Sequence, residues 1–206
     1  NQVWKTEETL WHDVTVKSPE NGRGLMNYGL SQMNKGNYER ALHYFRKALK
    51  HNPRYAYLHI NLGVLRQAMG FPAEAEQYFR NAMEYGPAYP ESHYYYGQWL
   101  YGQGRMEEAA LRLGEALTLS PAHVHARYLL MEILAAGGEW ENLSGLAAMT
   151  LQILPGDSLT THFLAIGQNR KTRLDAALDI VKEHPSAENC LELSLRYYEA
   201  GDFISC

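Results

Sequence analysis

Two cysteines, Cys190 and Cys206, are all that 206 residues contain, and neither sits in a CxxC or Cys/His ligand pattern. One disulfide cannot staple a chain of this length, so the fold has to rest on its core, and the redox compartment stays open. Long apolar runs are missing too. The most hydrophobic stretch, residues 128–136, is interrupted by Glu132, so no segment reads as a membrane span. The opening Asn-Gln-Val-Trp-Lys-Thr-Glu-Glu is not a secretion signal. A net charge of -4 leaves no clustered Lys/Arg excess for a broad phosphate-binding face, which argues against nucleic acid. The GxSxG, P-loop, GxGxxG and HExxH motifs are absent. Nine histidines are scattered, and a zinc site needs three or four converging ligands. No enzymatic activity, catalytic residue, metal site or cofactor is expected. With 46% hydrophobic and 20% charged residues, the chain nevertheless reads as folded rather than disordered.

What is present is a period. Pro19, Pro53, Pro87, Pro121 and Pro155 are each 34 residues apart. Gly29, Gly63 and Gly97 keep that spacing, as do Gly36, Gly70, Gly104 and Gly138. So do Ala41, Ala75 and Ala109, and then Ala48, Ala82 and Ala116. Each unit predicts two amphipathic helices joined by a short turn. Gly29 would let the two helices approach closely, and Gly36 would close the turn, where a positive φ is cheap only for glycine. The proline ends the second helix. A single hairpin cannot bury its apolar stripe, so the units must stack.

The Leu62-Gly63, Ala75, Phe79, Ala82 and Pro87 pattern resembles the tetratricopeptide repeat, and the resemblance covers nearly the whole chain. It departs at the first signature position, often Trp, which holds Leu25, His59, His93 and Arg127. The resemblance implies an all-α solenoid of about eleven helices, stacked as antiparallel pairs in a right-handed superhelix. Residues 1–21 read as the second helix of a truncated repeat, with Trp4 and Trp11 at its aromatic positions. Full repeats follow at 22–55, 56–89 and 90–123, and a degenerate fourth at 124–157. There Met131 replaces the glycine, and Leu143 and Thr150 replace the alanines, so looser packing is expected. Residues 158–187 form a shortened fifth repeat, since Pro185 follows Pro155 by 30 residues. Residues 188–206, with Leu193, Tyr197, Gly201 and Phe203, read as the first helix of a truncated sixth. An array broken in mid-repeat at both ends is expected to belong to a longer protein and to self-associate through its uncapped ends.

In this family the first helix of each repeat lines a concave face that binds protein or peptide partners. By that pattern the groove residues are Met26, Asn27, Leu30 and Asn34, then Tyr57, Asn61 and Val64, then Tyr94, Tyr95, Gln98 and Tyr101, then Tyr128. Tyrosine and methionine are enriched at interfaces, and asparagine can bond a peptide backbone in either polarity. The five tyrosines are expected along one strip, either as a binding surface or as packing between helices. The basic cluster Arg40, Arg46, Lys47, Lys50 and Arg54 falls on a second helix, where a solvated convex face is expected. The positions of the family's clamp for chaperone C-termini hold Met26, Leu30, Asn61, Glu91 and Tyr95, of which only Asn61 fits. Asn27 and Asn61 resemble the start of the asparagine ladder of O-linked N-acetylglucosamine transferase, but Tyr95 and Leu129 break it.

The segment Trp4–Trp11, with Lys17–Arg23, is similar to the junction after the last membrane span of multi-pass glycosyltransferase-like proteins with C-terminal repeats. The preferred function is a protein-interaction scaffold. The alternatives are a substrate-presenting, extracytoplasmic domain of such a glycosyltransferase, attached to the membrane only through a flanking region, and a self-association module. The compartment is extracytoplasmic on the first alternative and cytoplasmic otherwise.

Overall fold

The computed structural model describes residues 5–183 and, beyond them, residues 185, 186, 190, 191, 193 and 195. Trp4, Tyr197, Gly201, Phe203 and Cys206 lie outside the described residues, and with them most of the expected end contacts. The described elements are helices: α1 (Glu7–Lys17), α2 (Gly22–Asn34), α3 (Tyr38–His51), α4 (Ala56–Ala68) and α5 (Pro72–Tyr85). They continue with α6 (Pro90–Gly102), α7 (Met106–Leu119), α8 (Val124–Ala136), α9 (Trp140–Ile153) and α10 (Ser158–Glu183). From α2 to α9 each helix begins 34 residues after its counterpart. No helix among the described residues is long and apolar enough to cross a membrane.

The turns explain the spacing. Gly36, Gly70, Gly104 and Gly138 hold φ of 78°, 82°, 74° and 72°. That left-handed residue lets the next N–H reach the carbonyl five residues back. Asn37, Phe71, Arg105 and Glu139 donate in this way at 3.0, 2.9, 3.0 and 2.9 Å. Where the period next asks for the glycine, position 172 is threonine. A side chain there would cost about 1–2 kcal/mol in the left-handed region, so no turn forms. The helix runs on, and α10 is one helix of 26 residues in place of the helix pair expected for a fifth repeat.

The chain divides into two compact units, Asn1–Leu119 and Ser120–Cys206. In the first, α1 packs on α2, and the pairs α2/α3, α4/α5 and α6/α7 follow, with α2 against α4 and α4 against α6. Glu8 ties α1 to α2, accepting from Gln32 at 2.9 Å and pairing with Lys35. Inside each pair a glycine faces a large side chain. A Cβ on Gly29 would lie 2.7 Å from the Phe45 ring, one on Gly63 2.7 Å from Phe79, and one on Gly97 3.1 Å from Leu113.

In the second unit α8 packs on α9, and α9 on α10. Met131 stands in the glycine register and Ala147 in the Phe45, Phe79 and Leu113 register, and both are fully buried in one cluster with Leu143. The large and small members have exchanged helices. Met131, Leu143 and Thr150 are each 0% exposed, yet α8 and α9 meet far less extensively than the helix pairs of the first unit, in line with the looser packing expected of the fourth repeat.

Candidate functional site

The histidines and the arginine at the first signature position bind the repeat boundary. His59 Nε2 donates to the Pro53 carbonyl at 2.7 Å, and His93 Nε2 to the Pro87 carbonyl at 2.9 Å. Arg127 Nε reaches the Pro121 carbonyl at 2.6 Å. A further Arg127 nitrogen donates to the Thr150 hydroxyl at 3.0 Å, so the threonine that replaces a small alanine supplies the acceptor. His93 also meets Glu115 at 2.9 Å. These side chains hold structure, and among the described residues no three metal-ligating groups converge.

The residues expected in the groove divide by burial. Met26 is a correction: at 7% exposed it packs in the core of the first two pairs, with Phe45 and Leu58. Its place near the start of α2 turns the side chain toward α3 and α4 rather than outward. Asn27, Leu30, Asn61, Val64, Tyr94, Tyr95, Tyr101 and, in the second unit, Tyr128 are half-buried, while Asn34, Tyr57 and Gln98 are exposed. Tyr94 and Tyr95 meet edge to face at 5.1 Å. Burial raises the Tyr94 hydroxyl above its ordinary pKa, and Tyr95 adds to the shift. Burial raises the Tyr128 hydroxyl above its ordinary pKa, with the Asp157 carboxylate adding to the shift, and Asp157 caps α10 by accepting from the Thr160 N–H at 2.8 Å.

Two residues that the family pattern does not assign to the groove lie beside Tyr57, which it does assign. Tyr55 and Tyr89 precede α4 and α6, and their rings lie 5.8 and 5.6 Å from that of Tyr57. Burial raises the Tyr57 hydroxyl above its ordinary pKa, and the nearby Glu91 carboxylate adds to the shift. The signal that would have found this pair is the 34-residue spacing of Tyr55 and Tyr89 at the repeat boundary.

The amides of the face are unused. Among the described residues, the Asn27, Asn34, Asn61 and Gln98 side chains make no hydrogen bond, although Gln32, buried on the same helix as Asn27, bonds both Glu8 and Asn37. Elsewhere on the first unit charges are tied down. Burial pushes the Glu76 carboxyl up, but hydrogen bonds from Arg80, Arg105 and Tyr96 outweigh it and hold the group at about 2. Of the basic cluster on α3, Arg40 lies over the Tyr28 ring and Lys47 over Tyr44. Among the described residues, depressions of about 810 Å³ beside Tyr38 and Phe71, 560 Å³ beside His12 and Tyr28, and 420 Å³ beside Arg80 and Tyr96 open on this unit. None of the three is lined by an expected groove residue.

Residues 22–55 and 60–123 match tetratricopeptide repeat family models. The chain is a tetratricopeptide-repeat protein. No curated protein matches its sequence. Among solved structures, this repeat protein is similar to YrrB, described as a TPR protein with an unusual peptide-binding site. That match has 19% identity over 88% of this chain and 96% of YrrB, with a TM-score of 0.63. It is also similar to TTC0263, a thermophilic TPR protein of Thermus thermophilus, at 20% identity over 78% of this chain and 88% of the other, with a TM-score of 0.64. The first TPR of Spaghetti (RPAP3), bound to the HSP90 peptide SRMEEVD, matches 55% of this chain and 90% of its own, at 21% identity and a TM-score of 0.51. Identities this low speak to the fold, an all-α tetratricopeptide solenoid.

Proposed function

We propose that this tetratricopeptide-repeat protein is a binding module, without catalysis of its own, that holds an extended peptide of a partner protein along the first helices of its repeats. The observation that carries the reading is the set of idle carboxamides. Asn27, Asn34, Asn61 and Gln98 come from α2, α4 and α6 and have no partner among the described residues. Asn27 and Asn61 are also half-buried. A half-buried amide left unpaired forgoes hydrogen bonds worth roughly 0.5–1.5 kcal/mol each. An extended peptide backbone offers donors and acceptors to both ends of each amide. Tyr94, Tyr95 and Tyr101 add apolar area on rigid side chains. That YrrB has a peptide-binding site and the Spaghetti domain holds a peptide supports the same reading.

The test is selection of random peptides displayed against the whole chain, followed by titration of the winners with variants. Asn61→Ala and Tyr94→Ala should each weaken binding by at least about 1 kcal/mol, the range for contact residues at interfaces. Asn61→Ala should leave the melting temperature unchanged, since it removes no internal hydrogen bond. Selection of no peptide above background, or winners that bind both variants as tightly as the parent, would sink the reading.

A further inference from the structure

Carboxylates that lose solvent on folding need a partner, because a partly desolvated charge is costly unless it is paired. In the first unit the described carboxylates that are not fully exposed are Glu8, Asp13, Glu76, Glu91 and Glu115. Glu8 pairs with Lys35, Asp13 with Lys17, Glu76 with Arg80 and Arg105, and Glu115 with Arg112. Glu91 stands apart. Among the described residues the Tyr57 hydroxyl is near enough for Glu91 to raise its pKa, and no cation pairs with Glu91.

What surrounds Glu91 is aromatic. Tyr57 is 36% exposed and Tyr89 44%, and their rings lie 5.6 Å apart at 39°. Tyr55 closes the other side of Tyr57 at 5.8 Å. The Tyr89 ring is held in place, since it lies so close over Gly86 that a Cβ there would be 2.5 Å from Tyr89 Cδ2. Ring faces attract cations through their quadrupole. Glu91 sits in the first turn of α6, whose end offsets roughly half a unit of charge, so a net negative field remains.

We infer that Tyr55, Tyr57, Tyr89 and Glu91 form a site for a cationic side chain, arginine or lysine, of the bound peptide. The inference rests on the peptide-binding reading and adds the chemistry of one position: a basic residue lies over the rings and pairs with Glu91.

The probe is the capped tripeptide N-acetyl-Gly-Arg-Gly-amide, titrated into the whole chain carrying labelled tyrosine rings and followed by NMR. Its neutral isostere with citrulline is the control. The Tyr57 and Tyr89 ring signals, assigned with Tyr→Phe variants, should shift saturably with the arginine probe and far less with citrulline. Glu91→Gln should weaken the arginine probe about tenfold, as loss of a charged hydrogen bond implies. Tyr89→Ala should weaken it about fivefold, while Tyr89→Phe, which keeps the ring, should not. Equal shifts from the citrulline peptide, or an unchanged titration in Glu91→Gln with an unchanged melting temperature, would overturn the site. The display experiment separates the two ideas. Winners lost in Asn61→Ala but without an enriched Arg or Lys leave the groove standing and remove this site. A saturable arginine probe with no displayed winners does the reverse.

Discussion

The first and second units solve one packing problem in opposite ways. Around α4 and α5 the first helix gives up its side chain at Gly63 and the second fills the space with Phe79. Around α8 and α9 the first helix fills the space with Met131 and the second retreats to Ala147. Both solutions leave the interior closed, with Phe79 1% exposed and Met131 and Ala147 at 0%. Judged one position at a time, Met131 looks like a defect. Judged as a pair it is a conserved volume, and cores tolerate substitution when volume is conserved.

The sharpest way to break the comparison is to remove the large member of the second unit. Met131→Gly should cost about 4 kcal/mol, from the cavity and from glycine in a helix, read as a shift in urea midpoint. The reciprocal change in the first unit, Gly63→Met, should cost about 3 kcal/mol, because the new side chain meets Phe79. The double variant Gly63→Met with Phe79→Ala should recover at least 1 kcal/mol of the summed single costs, within the coupling range of about 0.5–3 kcal/mol for contacting residues. Strict additivity of the two changes would show that the exchange is not a compensation.

The boundary contacts offer a smaller contrast. Arg127→Leu strands the Pro121 carbonyl and should cost about 2 kcal/mol in the same assay. His59→Leu should cost about half that, because it also removes the buried Nδ1, which has no partner among the described residues. Leu25 already fills this register in the first repeat. Equal losses in the two variants would mean that burial, not the hydrogen bond, sets the value of the position.

The smallest expected effect is in pH. Burial lowers the His59 pKa from its ordinary 6.5, despite the hydrogen bond to Pro53 and the nearby Glu84. The unfolded chain therefore binds the proton first. The stability contributed by neutral His59 is intact above pH 6.5 and is lost as the pH falls below it. Melting temperatures should decline between neutral pH and about pH 5.5, and the decline should shrink in His59→Leu. Glu76, held at about 2, adds a separate loss as the pH falls from 4.5 toward that value. An identical pH profile in His59→Leu would remove the histidine from the account.

The fold was largely legible because its determinants are local and periodic. Glycine at 36, 70, 104 and 138 marks four turns before any contact is known. The breakdown after Pro155 was harder to read, because proline spacing suggested a short repeat while the missing glycine at 172 decided for one long helix. The candidate site was legible only in part. Family position put Met26 on the groove, but which way a residue at a helix start turns depends on the neighbouring pair, and here α3 and α4 enclose it. Tyr55 and Tyr89 are not legible from family position because they precede their helices; Tyr55 neighbours Tyr57 along the chain, and Tyr89 reaches it from the next repeat.

The boundary hydrogen bonds also define where this molecule could be lengthened. Pro53 and His59 act together, as do Pro87 and His93. A segment cut at the helix starts, 56–89, would separate Pro53 from His59 and carry half of each junction. A segment cut just before the prolines, 53–86, keeps both halves of its own junction and ends where Pro87 begins the next. The natural cassette for duplication or grafting therefore starts at the proline. A copy of 53–86 inserted after Gly86 would bring with it the contact that seats it.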